Sequence, residues 1–240
     1  MDYTLISDNY NFLLLGLINT ICLVSLALLF GGIISIPLAI LSADRHRIFG
    51  PMIWGYTYFF RGTPLLIQAY LIYYGMGQFE FVQNSFAWPI LRSAWWCALI
   101  AFSLNTAAYT TEIFRGAIEA TPLGEVEAAK ACGMSRFTMM RRVILPSAFR
   151  RALPAYSNEV IFMLHGSVVA STISVIDILG AGRVINGKFY VFREGLYSAA
   201  VIYLALVVLL PEVVRTQLAI TAYFGGTSIL IIVSVGMDTV

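Results

Sequence analysis

Five runs of apolar residues, each long enough to cross a lipid bilayer, constrain this chain more than any other feature of its sequence. A transmembrane helix needs about 20 mainly apolar residues, because it rises about 1.5 Å per residue. Only 12% of the 240 residues are charged, whereas a soluble domain carries about 25%. This composition excludes an ordinary soluble enzyme, a disordered chain and a nucleic-acid-binding protein. The predicted spans lie within 12–41 and at about 52–75, 94–114, 153–175 and 195–214.

The C-terminal stretch leaves the number of spans open. Residues 217–236 are apolar enough for a sixth span, but Gly225 and Gly226 interrupt them, so an interfacial tail is an equally good interpretation. The sequence does not decide the topology of residues 216–240. We expect an all-α integral membrane protein with about five transmembrane helices and a possible sixth, forming a single transmembrane domain over residues 1–240.

Basic residues are divided unevenly between the two sides that these spans define. Nine lie in the loops 42–51 and 115–151, whereas four lie in the loops 76–93 and 176–194 and none in the first ten residues. Cytoplasmic loops of membrane proteins carry an excess of Lys and Arg. We therefore expect the first two loops to be cytosolic and the N-terminus to be extracytoplasmic.

The longest loop, between the third and fourth spans, contains residues that predict local structure. Thr121 followed by Pro122 is typical of a helix start, because Thr caps free N–H groups and Pro fits the first helical position. Gly133 predicts the end of that short helix. Ser135 predicts the start of a second helix, which Pro146 ends or kinks. From these residues alone, a basic hairpin resting on anionic lipid and a docking element for a protein partner both remain open.

This loop resembles the EAA loop of ABC-importer permeases. The family pattern is E-A-A-x3-G-x9-I-x-L-P, and the chain departs from it only at Val143, where the family has Ile. In that family the short helix docks in a groove on a cytosolic ATPase subunit. The resemblance therefore implies a cytosolic coupling loop at 115–151. Its implied ATPase-coupling residues are Glu127, Ala128, Ala129 and Gly133.

Three further stretches resemble polar amino-acid permeases, and together they look most like the M-type permeases of histidine, octopine and nopaline importers. They are 61–68 (RGTPLLIQ), 104–112 (LNTAAYTTE) and 154–161 (PAYSNEVI). The resemblance runs from about residue 15 to about residue 205. It implies the type I ABC importer permease fold, and the import of a polar, cationic amino acid or derivative of the histidine, arginine, lysine or opine class across a bacterial inner membrane.

The same resemblance implies partners. They are a cytosolic ATP-binding subunit in two copies, a second permease subunit that is a paralogue or identical, an extracytoplasmic amino-acid-binding protein and membrane lipid; no nucleic acid is expected. ATP and magnesium would bind to the ATPase subunit, and no cofactor to this chain. The alternative is a secondary amino-acid transporter or a channel without an ATPase, which would give the long loop no role.

Two charged residues lie inside predicted spans. Arg61 lies about nine residues into the second span, roughly 14 Å deep, and Glu159 lies about eight residues past Arg151, roughly 12 Å deep. Charges in hydrocarbon are costly and usually functional. We expect Arg61 to bind the carboxylate of a cationic amino acid and Glu159 its cationic end. The alternatives are a structural Arg61–Glu159 ion pair without a ligand, and pairing with a partner subunit. The predicted substrate-binding residues are Arg61, Thr63, Gln68, Asn105, Ser157, Asn158 and Glu159.

Other polar residues favour less specific roles. Glu112 and Arg115 are spaced i, i+3 near a helix end, which predicts a local surface pair. His46 lies between two arginines in a loop and is expected to be solvated. His165 has no second metal ligand three or four residues away, so a packed or cavity-lining role is favoured over a metal site.

One stretch imitates a nucleotide-binding motif. Residues 182–188 match GxxxxGK, but Phe189 stands where a phosphate loop needs Ser or Thr for magnesium. The charge count also places this loop outside the cell. We therefore expect no ATP binding by this chain, and the sequence contains no recognisable catalytic set, so it is not expected to be an enzyme.

Overall fold

The computed structural model describes residues 8–44, 47–191 and 193–218, and within these ranges every element of secondary structure is helical. The α-helices are α1 (Tyr10–Ala43), α2 (Phe49–Gly62), α3 (Leu65–Tyr70), α4 (Glu80–Gln83), α5 (Trp88–Leu91), α6 (Ala94–Glu119), α7 (Leu123–Ala131), α8 (Arg136–Met139), α9 (Leu145–Gly166), α10 (Ile178–Phe189) and α11 (Glu194–Leu218). A π-helical turn (Leu71–Gly75) and a 3-10 helix (Met76–Gln78) continue α3, another π-helical turn (Met140–Ile144) joins α8 to α9, and a 3-10 helix (Ser167–Ile173) extends α9.

Each of the five predicted spans is helical in the structure. The first, third and fifth correspond to α1, α6 and α11, the fourth to α9 with its 3-10 extension, and the second is divided between α2 and α3. By length and composition alone, two described runs are able to cross a membrane, Tyr10–Ala43 and Arg136–Phe189. The possible sixth span and His46 lie outside the described residues.

The structure corrects three details of the loops. Thr121 does not cap α7, since its hydroxyl donates to the carbonyl of Ile118 in the preceding helix at 2.7 Å. Pro146 does not end the second helix of the long loop, because a π-helical turn leads directly into α9 and places Pro146 in its first turn, where an N–H is not needed. The predicted external loop 176–194 contains α10, which Asp177 caps by accepting the N–H of Gly180 at 2.6 Å.

Three apolar clusters follow one another along the bundle. Leu13, Ala181 and Ile185 pack at one end, and a larger cluster around Leu23 and Phe102 fills the middle. At the other end, a third cluster joins the ends of α1 and α6 to the start of α9. We call this the coupling end, because α7, which carries the predicted coupling residues, follows it directly. The end of α1, at Ala43, and the loop 115–151 therefore meet at one end, as the charge count predicts.

The longest helix contact in the bundle, between α1 and α6, depends on a small residue. Gly31 lies so close to α6 that a Cβ atom there would collide with the methyl group of Thr106. Small residues allow membrane helices to approach closely, because van der Waals packing drives their association. This contact fixes the position of Thr106 in the interior.

Candidate functional site

The break between α2 and α3 is the first element of the site. Thr63 is extended, with φ −110° and ψ 141°, and Pro64 follows it. Because proline has no N–H, the carbonyl of Phe60, four residues earlier, loses its helical donor. Gln68, which is only 3% exposed, donates its amide N–H groups to the Phe60 carbonyl at 2.8 Å and to the Thr63 hydroxyl at 2.7 Å. The break is therefore satisfied within the protein, as buried backbone requires.

Asn105 joins this break to α6. Its side-chain amide donates to the Phe60 carbonyl at 3.2 Å and to the side-chain oxygen of Gln68 at 3.1 Å. Thr63 also donates its hydroxyl to the carbonyl of Phe59 at 2.8 Å. Three of the predicted substrate contacts, Thr63, Gln68 and Asn105, thus lie together, and their donors hold the broken helix.

Glu159 is buried in the middle of the site, with 5% of its surface exposed. Its Oε1 accepts a hydrogen bond from the hydroxyl of Thr106 at 2.8 Å. Thr106 is itself fixed by the close contact with Gly31. A carboxylate offers about four acceptor positions, so this single hydrogen bond leaves capacity for a cation.

Arg61 lies at the end of α2 next to the break, and its side chain is 45% exposed. Its guanidinium is 5.5 Å from the centre of the Tyr109 ring and 3.9 Å from Oε2 of Glu112. No ion pair within 4.0 Å joins Arg61 to Glu159 in the part of the chain that the structure describes, so the alternative of a direct structural pair is not observed.

Glu112 and Arg115 form the local pair that their spacing predicts, with Arg115 donating to Oε2 at 2.7 and 3.0 Å. The pair is more connected than expected, since Arg115 also bonds Glu119 at 2.8 Å and the Thr57 hydroxyl of α2 donates to Glu112 at 3.3 Å. Burial of the Glu112 side chain, which is 19% exposed, means that this is not a simple surface pair.

The remaining predicted residues lie on α9 and serve different roles. Ser157 is buried and donates its hydroxyl to the carbonyl of Leu153 within the same helix at 2.8 Å. Asn158 is half-buried, one residue from Glu159. His165 is exposed, which excludes a packed role within this chain, and a cavity-lining role stays a prediction. Among the described residues, no group of three or more His, Cys, Asp and Glu is placed to hold a metal ion.

Three contributors to the site were absent from the predicted set. Thr106, Tyr109 and Glu112 hold Glu159 and Arg61, and all three belong to α6. Their spacing of three residues places them along one side of a helix. That periodicity, in the stretch 104–112 that also contains Asn105, was the available signal.

The predicted coupling residues lie on and just after α7. Glu127 and Ala128 are exposed, whereas Ala129 is 4% exposed and packs inward. Gly133 has φ +69°, and its N–H and that of Met134 donate to the carbonyls of Lys130 and Ala129 at 2.9 and 3.1 Å. These two bonds form the glycine-dependent helix end that the sequence predicts.

Two features of the coupling end point to a binding surface. Leu123 and Phe137 are 78% and 75% exposed in the predicted cytosolic loop. A groove of about 480 Å³ separates α7 from the start of α9, with Arg142 and Arg150 among its lining residues. Apolar side chains exposed in this way mark interaction sites when they cluster.

Arg151 fixes the base of α7. Its guanidinium donates to the carbonyl of Ala117 at 3.1 and 3.2 Å, to the Thr121 hydroxyl at 2.7 Å and to the Ser147 hydroxyl at 2.6 Å. These bonds join the end of α6 to α9, so the short helix extends from a rigid corner.

The chain matches one protein family over most of its length. Residues 35–235 match the family described as "Binding-protein-dependent transport system inner membrane component". The chain belongs to this family. Its members are transport components of the inner membrane, so the chain is a permease subunit and not an enzyme.

Two relatives within this permease family are similar to the chain over most of its length. The nopaline transport system permease protein of Agrobacterium fabrum is 40% identical over 215 residues, which cover 89% of both chains. The histidine/lysine/arginine/ornithine transport system permease protein of Escherichia coli K12 is 44% identical over 210 residues, which cover 87% of both chains. The resemblance to M-type permeases is thereby confirmed.

Solved structures of ABC transporters superpose on this chain. One, described as an amino acid ABC transporter with histidines, superposes with a TM-score of 0.79 at 30% identity, covering 90% of this chain and 97% of the other. A methionine ABC transporter in an inward facing conformation superposes with a TM-score of 0.66 at 18% identity, covering 85% and 95% of the two chains, and shares the fold. The expected type I importer permease fold is confirmed.

Proposed function

We propose that this chain is the membrane-spanning subunit of an ABC importer that carries a polar, cationic amino acid or amino-acid derivative across the bacterial inner membrane. ATP hydrolysis in a separate subunit drives the transport. The names of its relatives cover nopaline, octopine and histidine, lysine, arginine and ornithine transport. The single observation that carries the substrate class is that Arg61 and Glu159 contact α6 one turn apart, at Tyr109 and at Thr106, with no ion pair between them among the described residues.

A cationic amino acid complements this arrangement. Arg61 is half-exposed at the break and offers a planar set of donors to the substrate carboxylate. Glu159 is more buried than Arg61 and accepts the hydroxyl of Thr106, with acceptor capacity left for the cationic end. Separation of the two charges favours a ligand between them, since a direct ion pair would have neutralised both. Asn158 is placed next to Glu159 as a further polar contact.

The residues that surround the helix break keep the site in place, and their hydrogen-bonding groups are already used within the protein. Gln68 and Asn105 donate to the carbonyl that Pro64 leaves free, so they set where α2 ends and therefore where Arg61 stands. Thr63 and Ser157 likewise donate their hydroxyl groups to backbone carbonyls. We assign these four residues to site architecture, with substrate contact made mainly by Arg61 and Glu159.

Coupling and partners follow from the family and from the coupling end. Glu127, Ala128 and the turn at Gly133 dock on a cytosolic ATPase subunit, of which two copies hold ATP and magnesium. The loop at 115–151 serves as the coupling loop within a single permease domain. A second permease subunit, a paralogue or an identical copy, completes the translocation path, and an extracytoplasmic binding protein delivers the substrate. The excess of basic residues at the coupling end supports an extracytoplasmic N-terminus.

Glu159→Gln tests the substrate site. The substitution keeps the shape and the hydrogen bond from Thr106 but removes the charge that binds the cationic end. We expect uptake of radiolabelled L-arginine, L-histidine or octopine, whichever the wild-type complex transports, to fall about ten- to a hundredfold, as expected when a hydrogen bond to a charged group is lost. Uptake into proteoliposomes and substrate-stimulated ATPase activity are the measurements.

Glu80→Gln is the matched control, because Glu80 is exposed on α4 and its substitution removes the same charge away from the site and from the coupling end. Its uptake should equal that of the wild type. If the Glu159 variant assembles normally and retains both uptake and stimulation, the assignment of Glu159 to substrate recognition is wrong.

A further inference from the structure

Four charged residues of alternating sign connect the proposed substrate site with the coupling end. Arg61 is near Glu112, Glu112 bonds Arg115, and Arg115 bonds Glu119, at 3.9, 2.7 and 2.8 Å. We call these four residues the charge ladder. Arg61 belongs to α2, and the other three follow one another along α6.

The contacts of the ladder differ in strength. Arg115 donates two hydrogen bonds to Glu112 at 2.7 and 3.0 Å, within the usual range for a charge-assisted bond. The 3.9 Å contact of Arg61 with the same oxygen is too long for a hydrogen bond, so only Coulombic attraction remains. Glu112 is therefore a fixed charge, and Arg61 is the loosely held member.

The ladder also has a direction. Glu112 lies six residues beyond Thr106, which is about 9 Å along the helix, and therefore between the Glu159 site and the coupling end. Glu119 is the last residue of α6, and α7 begins at Leu123. The ladder thus runs from Arg61 along one helix, and the end of that helix leads into α7.

Glu112 also connects two helices at this point. Besides Arg61, α2 contributes the Thr57 hydroxyl, which donates to Glu112 at 3.3 Å. Tyr109, one turn before Glu112, donates its hydroxyl to the backbone carbonyl of Arg61 at 3.2 Å and lies under the guanidinium. The backbone of Arg61 is therefore anchored to α6, and only its charged side chain is free to change partners.

We propose that Glu112 is the competing counter-ion for Arg61, and that a substrate carboxylate displaces it. In the empty transporter Arg61 stays near Glu112, and this contact adds to the hydrogen bonds that join α2 to α6. When the substrate carboxylate binds the guanidinium, Arg61 leaves Glu112, and the Thr57 hydroxyl is the remaining contact of α2 with Glu112. The rest of the ladder, Glu112, Arg115 and Glu119, then loses the attraction of the Arg61 charge. Glu112 is in this view a positioning residue that lowers substrate affinity and links substrate binding to the coupling helix. This inference rests on the substrate site proposed above.

Glu112→Gln and Glu119→Gln form the decisive pair of variants, since both remove one acceptor charge of Arg115 but only the first removes the partner of Arg61. In the purified complex without nucleotide, we expect Glu112→Gln to bind the transported ligand, from the panel L-arginine, L-histidine and octopine, about fivefold more tightly, the size expected for losing a partly exposed ion pair. Stimulation of ATPase activity by that ligand should fall. Glu119→Gln should leave ligand affinity unchanged, because Glu119 does not contact Arg61. It should also lower the stimulation, because it breaks the ladder between Arg115 and the end of α6.

A double-mutant cycle with Arg61→Gln separates the possible results. Arg61→Gln alone should weaken binding, and the gain from Glu112→Gln should vanish in the double variant, because no guanidinium remains to be released. Weaker or unchanged binding in a Glu112→Gln complex that assembles normally would overturn the competition. Unchanged binding in Arg61→Gln would instead overturn the substrate site itself.

If Glu112→Gln does not assemble, Glu112→Asp provides a second test, because it keeps the charge but shortens the side chain. This variant should still bind the ligand more tightly than the wild type, and no gain in affinity would overturn the proposal.

Discussion

The chain interrupts its helices in two different ways, inside the bundle at Thr63-Pro64 and at the coupling end at Gly133. At the inner break, side chains from elsewhere satisfy the backbone, and one of them, Asn105, is 45 residues away from the carbonyl it binds. At the outer turn, two backbone N–H groups satisfy carbonyls three and five residues earlier, and no distant side chain takes part.

The difference follows from the surroundings of each interruption. Unpaired backbone groups in the bundle interior have no water to bind, so the protein must supply each partner itself. The turn after α7 is exposed, and a residue with positive φ is enough to close it. The inner break is thus a fixed part of the site, whereas the outer turn sets the direction of a helix that stands out from the bundle.

Removing the buried partner of the inner break should have the largest effect. The Gln68 amide also donates to the Thr63 carbonyl, at 3.0 Å. Gln68→Leu keeps the approximate volume but leaves that carbonyl without its donor and the Phe60 carbonyl with only Asn105. We expect a loss of about 2–4 kcal/mol in the free energy of unfolding and a loss of uptake, because Arg61 no longer has a fixed position. Thermal denaturation of the purified complex measures the first, and uptake into proteoliposomes the second.

Gln83→Leu provides the control for that loss. The side chain of Gln83 is exposed and donates one hydrogen bond, to the carbonyl of Gly77 at 2.7 Å. Its replacement should cost less than about 1 kcal/mol. Equal stability of the two variants would mean that the amide of Gln68 does not hold the break.

The two interruptions also differ in how far the sequence predicted them. Gly133 and Ser135 identified the outer turn and the next helix start, because such capping rules involve neighbouring residues only. Pro64 identified the inner break, but its partners Gln68 and Asn105 were interpreted as substrate contacts. Which carbonyl they bind depends on how α2, α3 and α6 pack together, and no local pattern encodes that packing.

For the charged residues too, the sequence predicted local features but not the contacts between helices. The depth of Arg61 and Glu159 in their spans followed from residue counts. Their separation, and the involvement of Glu112, depend on the approach of α2 and α9 to α6. The i, i+3 rule predicted Arg115 as a partner of Glu112 correctly, but it could not predict Thr57 or Arg61 from another helix.

Changing the outer turn should affect coupling more than stability. Gly133→Val places a β-branched residue at φ +69°, a strain of about 1–3 kcal/mol that the short helix can relieve by losing its last turn. A Cβ there meets no other atom within 4 Å, so the bundle itself is not disturbed. We expect normal membrane insertion but reduced substrate-stimulated ATPase activity and reduced uptake.

Gly133→Asn is its matched control, since Asn adopts positive φ more readily than other residues with a side chain. It should retain most of the coupling. If substrate stimulates the ATPase activity of the Gly133→Val complex as strongly as that of the wild type, the turn does not orient the docking surface.

The smallest effect is expected at the cap that follows the outer turn. The Ser135 hydroxyl accepts the N–H of Thr138 at 3.3 Å in an exposed position, so Ser135→Ala should cost about 0.5–1 kcal/mol, the lower part of the range for N-caps. Hydrogen exchange should increase in residues 136–139 and stay unchanged at the inner break, whereas Ser135→Asp should preserve protection. An increase at Gln68 or Asn105 as well would contradict the comparison, because it would mean that the exposed turn and the buried break unfold as one unit.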